Sequence, residues 1–281
     1  MADTRKPLRE MPRPAPEAKI PLATPRTRGA GETAPAAVTA AQRLNRAAVT
    51  AASVLIDSAM EHYRGNFHNK AMWTPLVTSS LSIAVSVHGL SDKRHRAHPV
   101  RDLVHAVAGL VGAIGTGFHV YNVTKKVGGF SWQNIFYSAP LGAPAAMSLS
   151  GLMGFLAERV RDNEPDREPE VFGLPAGRFV AATTAVSLLA TTAEAGLLHF
   201  RGAFHNPAMM LPVTMPPVAA ALLGAAAAGD AAKPRKVSRI WMAATAAIGV
   251  AGVAFHARWR SERGSLGGAR CQGLLRAQDS R

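Results

Sequence analysis

Six histidines recur in two matching sets. The run His62-Tyr63-Arg64-Gly65-Asn66-Phe67-His68-Asn69-Lys70-Ala71-Met72 aligns with His199-Phe200-Arg201-Gly202-Ala203-Phe204-His205-Asn206-Pro207-Ala208-Met209, with eight of eleven positions identical at an offset of 137 residues. The same offset lays Phe118-His119 on Phe255-His256, Gly115 on Gly252, Pro75 on Pro212 and Asp57 on Glu194. Neutral imidazole ligates transition metals and haem. A metal or haem site built from His62, His119, His199, His256, His68 and His205 is therefore one expectation, with Met72, Met209, Met210 and Met215 as soft ligands for copper. Two features argue against it. No His-Glu-x-x-His pattern is present, and His62 and His68 are six residues apart across a glycine, which puts them on no common helical face. The alternative is that an aromatic-flanked histidine at a helix end simply bonds loop carbonyls at the membrane interface.

Asp57 and Glu194 each precede a repeated histidine by five residues, about 7.5 Å along a helix axis. That places each carboxyl inside an apolar segment, where a charge costs roughly 2.5–3.5 kcal/mol on insertion scales and usually has a partner in the bundle interior. Arg64, Arg201 or a histidine of a neighbouring helix are the expected partners. Arg64-Gly65 and Arg201-Gly202 also read as helix ends, with the glycine left-handed and the arginine against the negative pole of the helix. These arginines are candidate sites for an anion or a lipid phosphate. Asn69 and Asn206 are expected to bond the following turn, and Pro75 and Pro212 to open the next helices. His88, His95, His98 and His105, near Lys93, Arg94 and Arg96, have no second copy and read as a solvated basic loop. Gly128-Gly129-Phe130-Ser131-Trp132, with Asn134 and Tyr137, reads as an interfacial aromatic anchor.

The segments that carry these residues are apolar. Of 281 residues, 48% are hydrophobic and 18% charged, and the charges collect between long stretches that have almost none. Seven such stretches are predicted, near 47–63, 74–90, 103–121, 135–157, 179–200, 208–229 and 240–257. A helix crosses the hydrocarbon layer in about 20 residues, and the abundance of Ala, Gly, Ser and Thr suits close packing in lipid. The fold class expected is an all-α transmembrane bundle of about seven helices in two tandem repeats, the second cut short. The first stretch is the weakest span and fits an interfacial or buried helix as well.

A net charge of +14 suggests a nucleic-acid binder, but the Lys and Arg sit at the ends of apolar segments, which excludes that partner in favour of a lipid bilayer. Most lie on one side: Arg5 to Arg46 in the tail, then Lys93, Arg94, Arg96 and Arg101, then Arg159, Arg161, Arg167 and Arg178, then Lys233, Arg235, Lys236 and Arg239. The other side holds only Arg64, Lys70, Lys125, Lys126 and Arg201. The bias predicts a multi-pass protein of the inner membrane with its N-terminus in the cytoplasm.

The organisation that follows is a disordered basic tail over 1–46, a first membrane repeat over 47–158, a polar cytoplasmic linker over 159–178, an incomplete second repeat over 179–257, and a disordered basic tail over 258–281. An even number of crossings in the first unit gives both copies one orientation, related by a pseudo-two-fold along the membrane normal. The second copy predicts an apolar helix after Phe255-His256 where the chain has Arg258, Arg260, Arg263, Arg270, Arg276 and Arg281 instead. A truncation or reading-frame artefact near residue 260 is expected, a seven-helix protein with a basic external tail being the alternative. Cys271 is the sole cysteine, so no internal disulfide forms. No cleavable leader is visible, and the first apolar helix is expected to act as its own insertion signal. Phosphate loops, nucleophile elbows and dinucleotide fingerprints are absent, GAIGTG at 112–117 lying inside an apolar helix. Three functions remain: a binding module with a His, Arg and carboxylate-lined site at the non-cytoplasmic face, a proton- or cation-coupled transporter or channel using Asp57 and Glu194, and a non-catalytic structural protein. A membrane-protein partner or a homo-oligomer suits each.

Overall fold

The structure, a computed structural model, describes residues 36–138, 141–164, 168–229 and 236–278, with the backbone alone for residues 136, 138, 257 and 259–278. Residues 1–35, most of the expected N-terminal tail, lie outside the described residues, as do Lys233 and Arg235. The chain is mostly helical: α1 (Ala36–Ala48), α2 (Ala51–Arg64), α3 (Thr74–Ser91), α4 (Pro99–Thr124), α5 (Trp132–Ser138), α6 (Gly142–Arg161), α7 (Ala176–Arg201), α8 (Leu211–Ala228) and α9 (Lys236–Gln278). Short 3-10 turns, Lys70–Trp73 and Pro207–Met210, lead into α3 and α8.

Four segments are long and apolar enough to cross a membrane: Pro99–Thr124, Ala176–Arg201, Pro207–Ala228 and Lys236–His256. Their outer faces are apolar, with Leu110, Ile114, Val186, Leu189, Val250 and Val253 exposed, as suits helices whose solvent is hydrocarbon. The chain is thus a membrane protein by the length and composition of these helices. The other expected spans are shorter or more polar. α2 has 14 residues, about 21 Å at 1.5 Å per residue. α3 buries Thr78, Ser79, Ser82 and Ser86, and α6 ends in Glu158, Arg159 and Arg161.

Two expected tails differ from the structure. Residues 36–46, assigned from sequence to the disordered tail, form most of α1, which buries Ala37, Val38, Ala41, Leu44 and Ala48. The alanines that look featureless in sequence let α1 lie close to α6, where Met153, Leu156, Ala157 and Val160 complete a core. The backbone beyond residue 258 continues α9 as far as Gln278, and no proline follows Pro234 to interrupt it. The expected linker holds a two-stranded hairpin, Glu170–Val171 with Leu174–Pro175. Its central residues Phe172 and Gly173 have φ of 53° and 74°, the combination a tight twisted hairpin requires.

α1 and α2 are separated only by Val49 and Thr50, which tighten into i to i+3 turns. The Ser150 hydroxyl of α6 donates to the Ala48 carbonyl at this break, 2.6 Å away. α6 is central to the first part of the bundle and packs on α1, α2, α3 and α4. α7 and α8 pack on each other, α9 rests chiefly on α8, and α7 touches α6.

Candidate functional site

The repeated histidine motifs form two loops of one shape. α2 ends at Arg64 and α7 at Arg201, and the residues next to the terminating glycines turn left-handed: Asn66 and Phe67 at φ 54° and 45°, Ala203 and Phe204 at 56° and 45°. A non-glycine residue there costs roughly 1–2 kcal/mol. Repeated bonds hold both loops. The Phe67 N–H donates to the His62 carbonyl at 3.0 Å, and that of Phe204 to the His199 carbonyl at 3.1 Å. Asn69 Oδ1 accepts from the Ala71 N–H, and Asn206 Oδ1 from the Ala208 N–H, both at 2.9 Å, as expected from sequence. Pro75 and Pro212 occupy the first turns of α3 and α8.

Gly65 and Gly202 differ from expectation. Their φ values are −83° and −84°, so neither is the left-handed residue. Space is what they supply: a Cβ on Gly65 would stand 3.0 Å from the Met72 Cε, and one on Gly202 3.2 Å from the Met209 Cε.

Each repeated histidine has a defined ring orientation. His62 Nδ1 lies 2.6 Å from the Met72 carbonyl, and His199 Nδ1 3.0 Å from the Met209 carbonyl. His68 and His205 direct Nδ1 at the Gly65 and Gly202 carbonyls, both at 3.0 Å. A carbonyl oxygen only accepts, so Nδ1 is the donor in all four rings, and in the neutral imidazole Nε2 keeps its lone pair. The helix-end rings come in pairs. His199 and His256 have centroids 6.3 Å apart, at an interplanar angle of 28°, and His119 is within electrostatic reach of His62. Among the described residues no three His, Cys, Asp or Glu side chains lie close enough together to hold a metal ion.

Glu194 on α7 lies within electrostatic reach of Asp57 on α2, and its carboxylate sits against Gly142, the first residue of α6, where a Cβ would collide with it. Asp57 in turn senses Glu61 and His62, and both carboxyl residues are exposed. The arginines expected as partners are engaged elsewhere. Arg64 donates to Glu61 at 2.8 Å, and Arg201 lies over the Tyr137 ring, 4.9 Å from its centroid.

At the opposite end of the helices His88, Lys93, Arg94 and Arg96 are exposed, as expected of a solvated basic loop, while His105 is buried beneath it in an ion network. Arg101 is 1% exposed, and Glu158, Arg161 and His105 are fully buried. Arg101 grips Glu158 with two bonds, Nε to Oε1 at 2.8 Å and Nη2 to Oε2 at 3.0 Å, and reaches Asp92 Oδ2 at 2.7 Å. Glu158 also accepts the His98 N–H at 2.7 Å. Arg161 donates to the Gly89, Asp92 and Arg94 carbonyls at 2.8–3.0 Å, closing the end of α3. Arg159 pairs with Asp102, and His95 bonds the Asn163 carbonyl. Burial pushes the Asp92 carboxyl up, but the Arg94 N–H and the Arg101 guanidinium outweigh it and hold that carboxyl below its usual range. His105 has both ring nitrogens unpartnered, its ring lying against Gly154.

Arg101 and Glu158 are 57 residues apart in sequence and belong to no motif. The available signal was a charge inside the first turn of an apolar helix, facing another inside the last turn of α6. The network fixes α3, α4 and α6 to one another, and among the described residues His98 Nδ1, Asp102 Oδ1, Arg159 Nε and Arg161 Nε also lack a hydrogen-bond partner. Compared with protein-family models, curated proteins and solved structures, the chain matches none.

Proposed function

We propose that this chain is an inner-membrane protein of about seven helices in two tandem units, N-terminus in the cytoplasm, that holds a proton or small cation between Asp57 and Glu194 at its non-cytoplasmic face. A shift of 137 residues carries Lys70–Trp73 onto Pro207–Met210, α3 onto α8, and the first residue of α4 onto that of α9. The two loops share most of their hydrogen bonds. The observation that carries the site is that Glu194 lies within electrostatic reach of Asp57. Positions equivalent under a repeat approach each other only beside the axis that relates the units, so the pair marks that axis. Transporters built from parallel repeats put their ion sites at such an interface. Two carboxylates side by side near hydrocarbon repel, and a shared proton or cation removes the repulsion.

The test is flux in reconstituted vesicles. Proton or alkali-cation flux is expected, and loss of at least tenfold in the Asp57→Asn, Glu194→Gln double variant. Wild-type vesicles no leakier than protein-free ones would end the reading.

A second reading rests on the rings. His62 and His199 donate Nδ1–H to carbonyls, which orients Nε2 as a ligand atom in the manner of many metal- and haem-binding histidines. Two imidazoles per unit suit the axial positions of a haem better than a closed metal cage. Purified protein would then show a Soret band that His62→Ala with His199→Ala removes. A featureless visible spectrum with no bound transition metal decides against it.

A further inference from the structure

In the first unit, α6 rests on α4 through glycines. A Cβ on Gly112 would collide with Ser148 and the Pro144 carbonyl, and one on Gly115 would stand 3.3 Å from the Pro144 Cβ. Gly249 and Gly252 hold the same places on α9, and a Cβ on either meets nothing within 4 Å. The face that α6 covers on α4 is open on α9. A second observation lies at the histidine end. The Glu194 carboxylate lies against Gly142, the first residue of α6, where a Cβ would collide with it. Asp57, its counterpart, makes no hydrogen bond among the described residues, its neighbours being Glu61, His62 and Glu194. The open glycine face and the Asp57 carboxyl are the two surfaces that one α6-like helix would contact.

We propose that α9 and Asp57 form the receptor for a further transmembrane helix outside the described residues. The inference rests on the two-unit reading. The occupant is apolar and about 20 residues long. Its N-terminus points at Asp57, and small residues face Gly249 and Gly252. Close backbone approach over glycines is what associates helices in lipid, where no hydrophobic force does so. The occupant's unpaired N–H groups make its first turn positive, and Asp57 supplies the matching negative charge. A second copy of the chain has no such helix to spare, because its α6 is engaged by its own α4 and α1. A lipid chain fits the glycines but offers Asp57 no N–H.

The α6 sequence itself serves as the probe. A synthetic peptide of residues 141–161 carrying Ser148→Cys is reconstituted with the full chain carrying Cys271→Ser and Gly249→Cys. Because Ser148 abuts Gly112, disulfide cross-linking is expected at position 249, at least tenfold above that of Val250→Cys, whose side chain is 73% exposed. Asp57→Asn is expected to lower the cross-link severalfold. No cross-link, or equal cross-linking at 249 and 250, overturns the proposal. So does a disulfide between two Gly249→Cys chains without peptide, which identifies self-association. The cross-link reads helix docking and the vesicle assay reads flux, so either can fail while the other succeeds.

Discussion

Under a shift of 137 residues α4 falls on α9, yet the two helices are held in opposite ways. On α4 the inward face carries Arg101, His105, Ala108 and Gly112, all buried. The matching residues of α9 are Ser238, Met242, Thr245 and Gly249, and Val250, Val253 and Phe255 stand 73%, 73% and 58% exposed. Asp92 has Gly229 for a counterpart, and Ser79, Ser82 and Ser86 have Pro216, Ala219 and Leu223. The loops at the histidine end are alike while the packing beneath them differs. In lipid, burial of apolar surface gives helices little reason to associate. The first region adds a buried ion network and glycine contacts to its packing, whereas in the second Arg178 Nε donates to the Ala227 carbonyl at 2.7 Å and Trp241 Nε1 to the Met215 carbonyl at 3.0 Å.

The largest expected effect comes from removing the charge at the centre of the first region. Glu158→Ala leaves Arg101 buried without its bidentate partner, which costs about 3–5 kcal/mol. Thermal unfolding in detergent is expected to shift strongly downward, whereas Ser238→Ala, at the α9 counterpart of Arg101, is expected to change stability by less than about 0.5 kcal/mol. Equal responses would erase the contrast. A smaller effect follows from Asp92, whose folded carboxyl titrates below its unfolded value. Its contribution is present in full above about pH 4, the ordinary aspartate range, and is lost as pH falls through the folded value. The stability gap between wild type and Asp92→Asn, about 1.5–3 kcal/mol, is therefore expected to stay level from pH 7 to about pH 5 and to shrink in stronger acid. A gap that widened on acidification would contradict the pairing with Arg101. The smallest effect sharpens the contrast by one side chain. Gly112→Leu forces α4 from α6 at about 1–3 kcal/mol, and Gly249→Leu enters open space and is expected to be near neutral.

The long apolar segments could be read from sequence because absence of charge over about 20 residues has one main physical cause. α3, α7 and α8 begin and end within a few residues of expectation. α1 was hidden by composition: a run rich in Ala resembles a solvated tail until α6 is known to lie beside it. Asp57 and Glu194 stood out as acids within apolar stretches, and Glu194 lies within electrostatic reach of Asp57. The left-handed turn was misplaced by one residue, because Gly65 looked like the permissive position while bonds from Phe67 and Asn69 fix the loop around Asn66 and Phe67. The ion network was invisible because its members come from three helices and only contact in space gives them meaning.

The hydroxyl of Ser150 that meets the Ala48 carbonyl sets a constraint on biosynthesis. Its acceptor is translated 102 residues earlier, and an unmatched carbonyl in hydrocarbon is worth several kcal/mol. The nascent α1–α2 segment therefore favours a hydrated or proteinaceous shelter, at the bilayer surface or within the insertion machinery, until α6 emerges from the ribosome. Completion of the α1–α2 break thus waits on a residue in the middle of the chain.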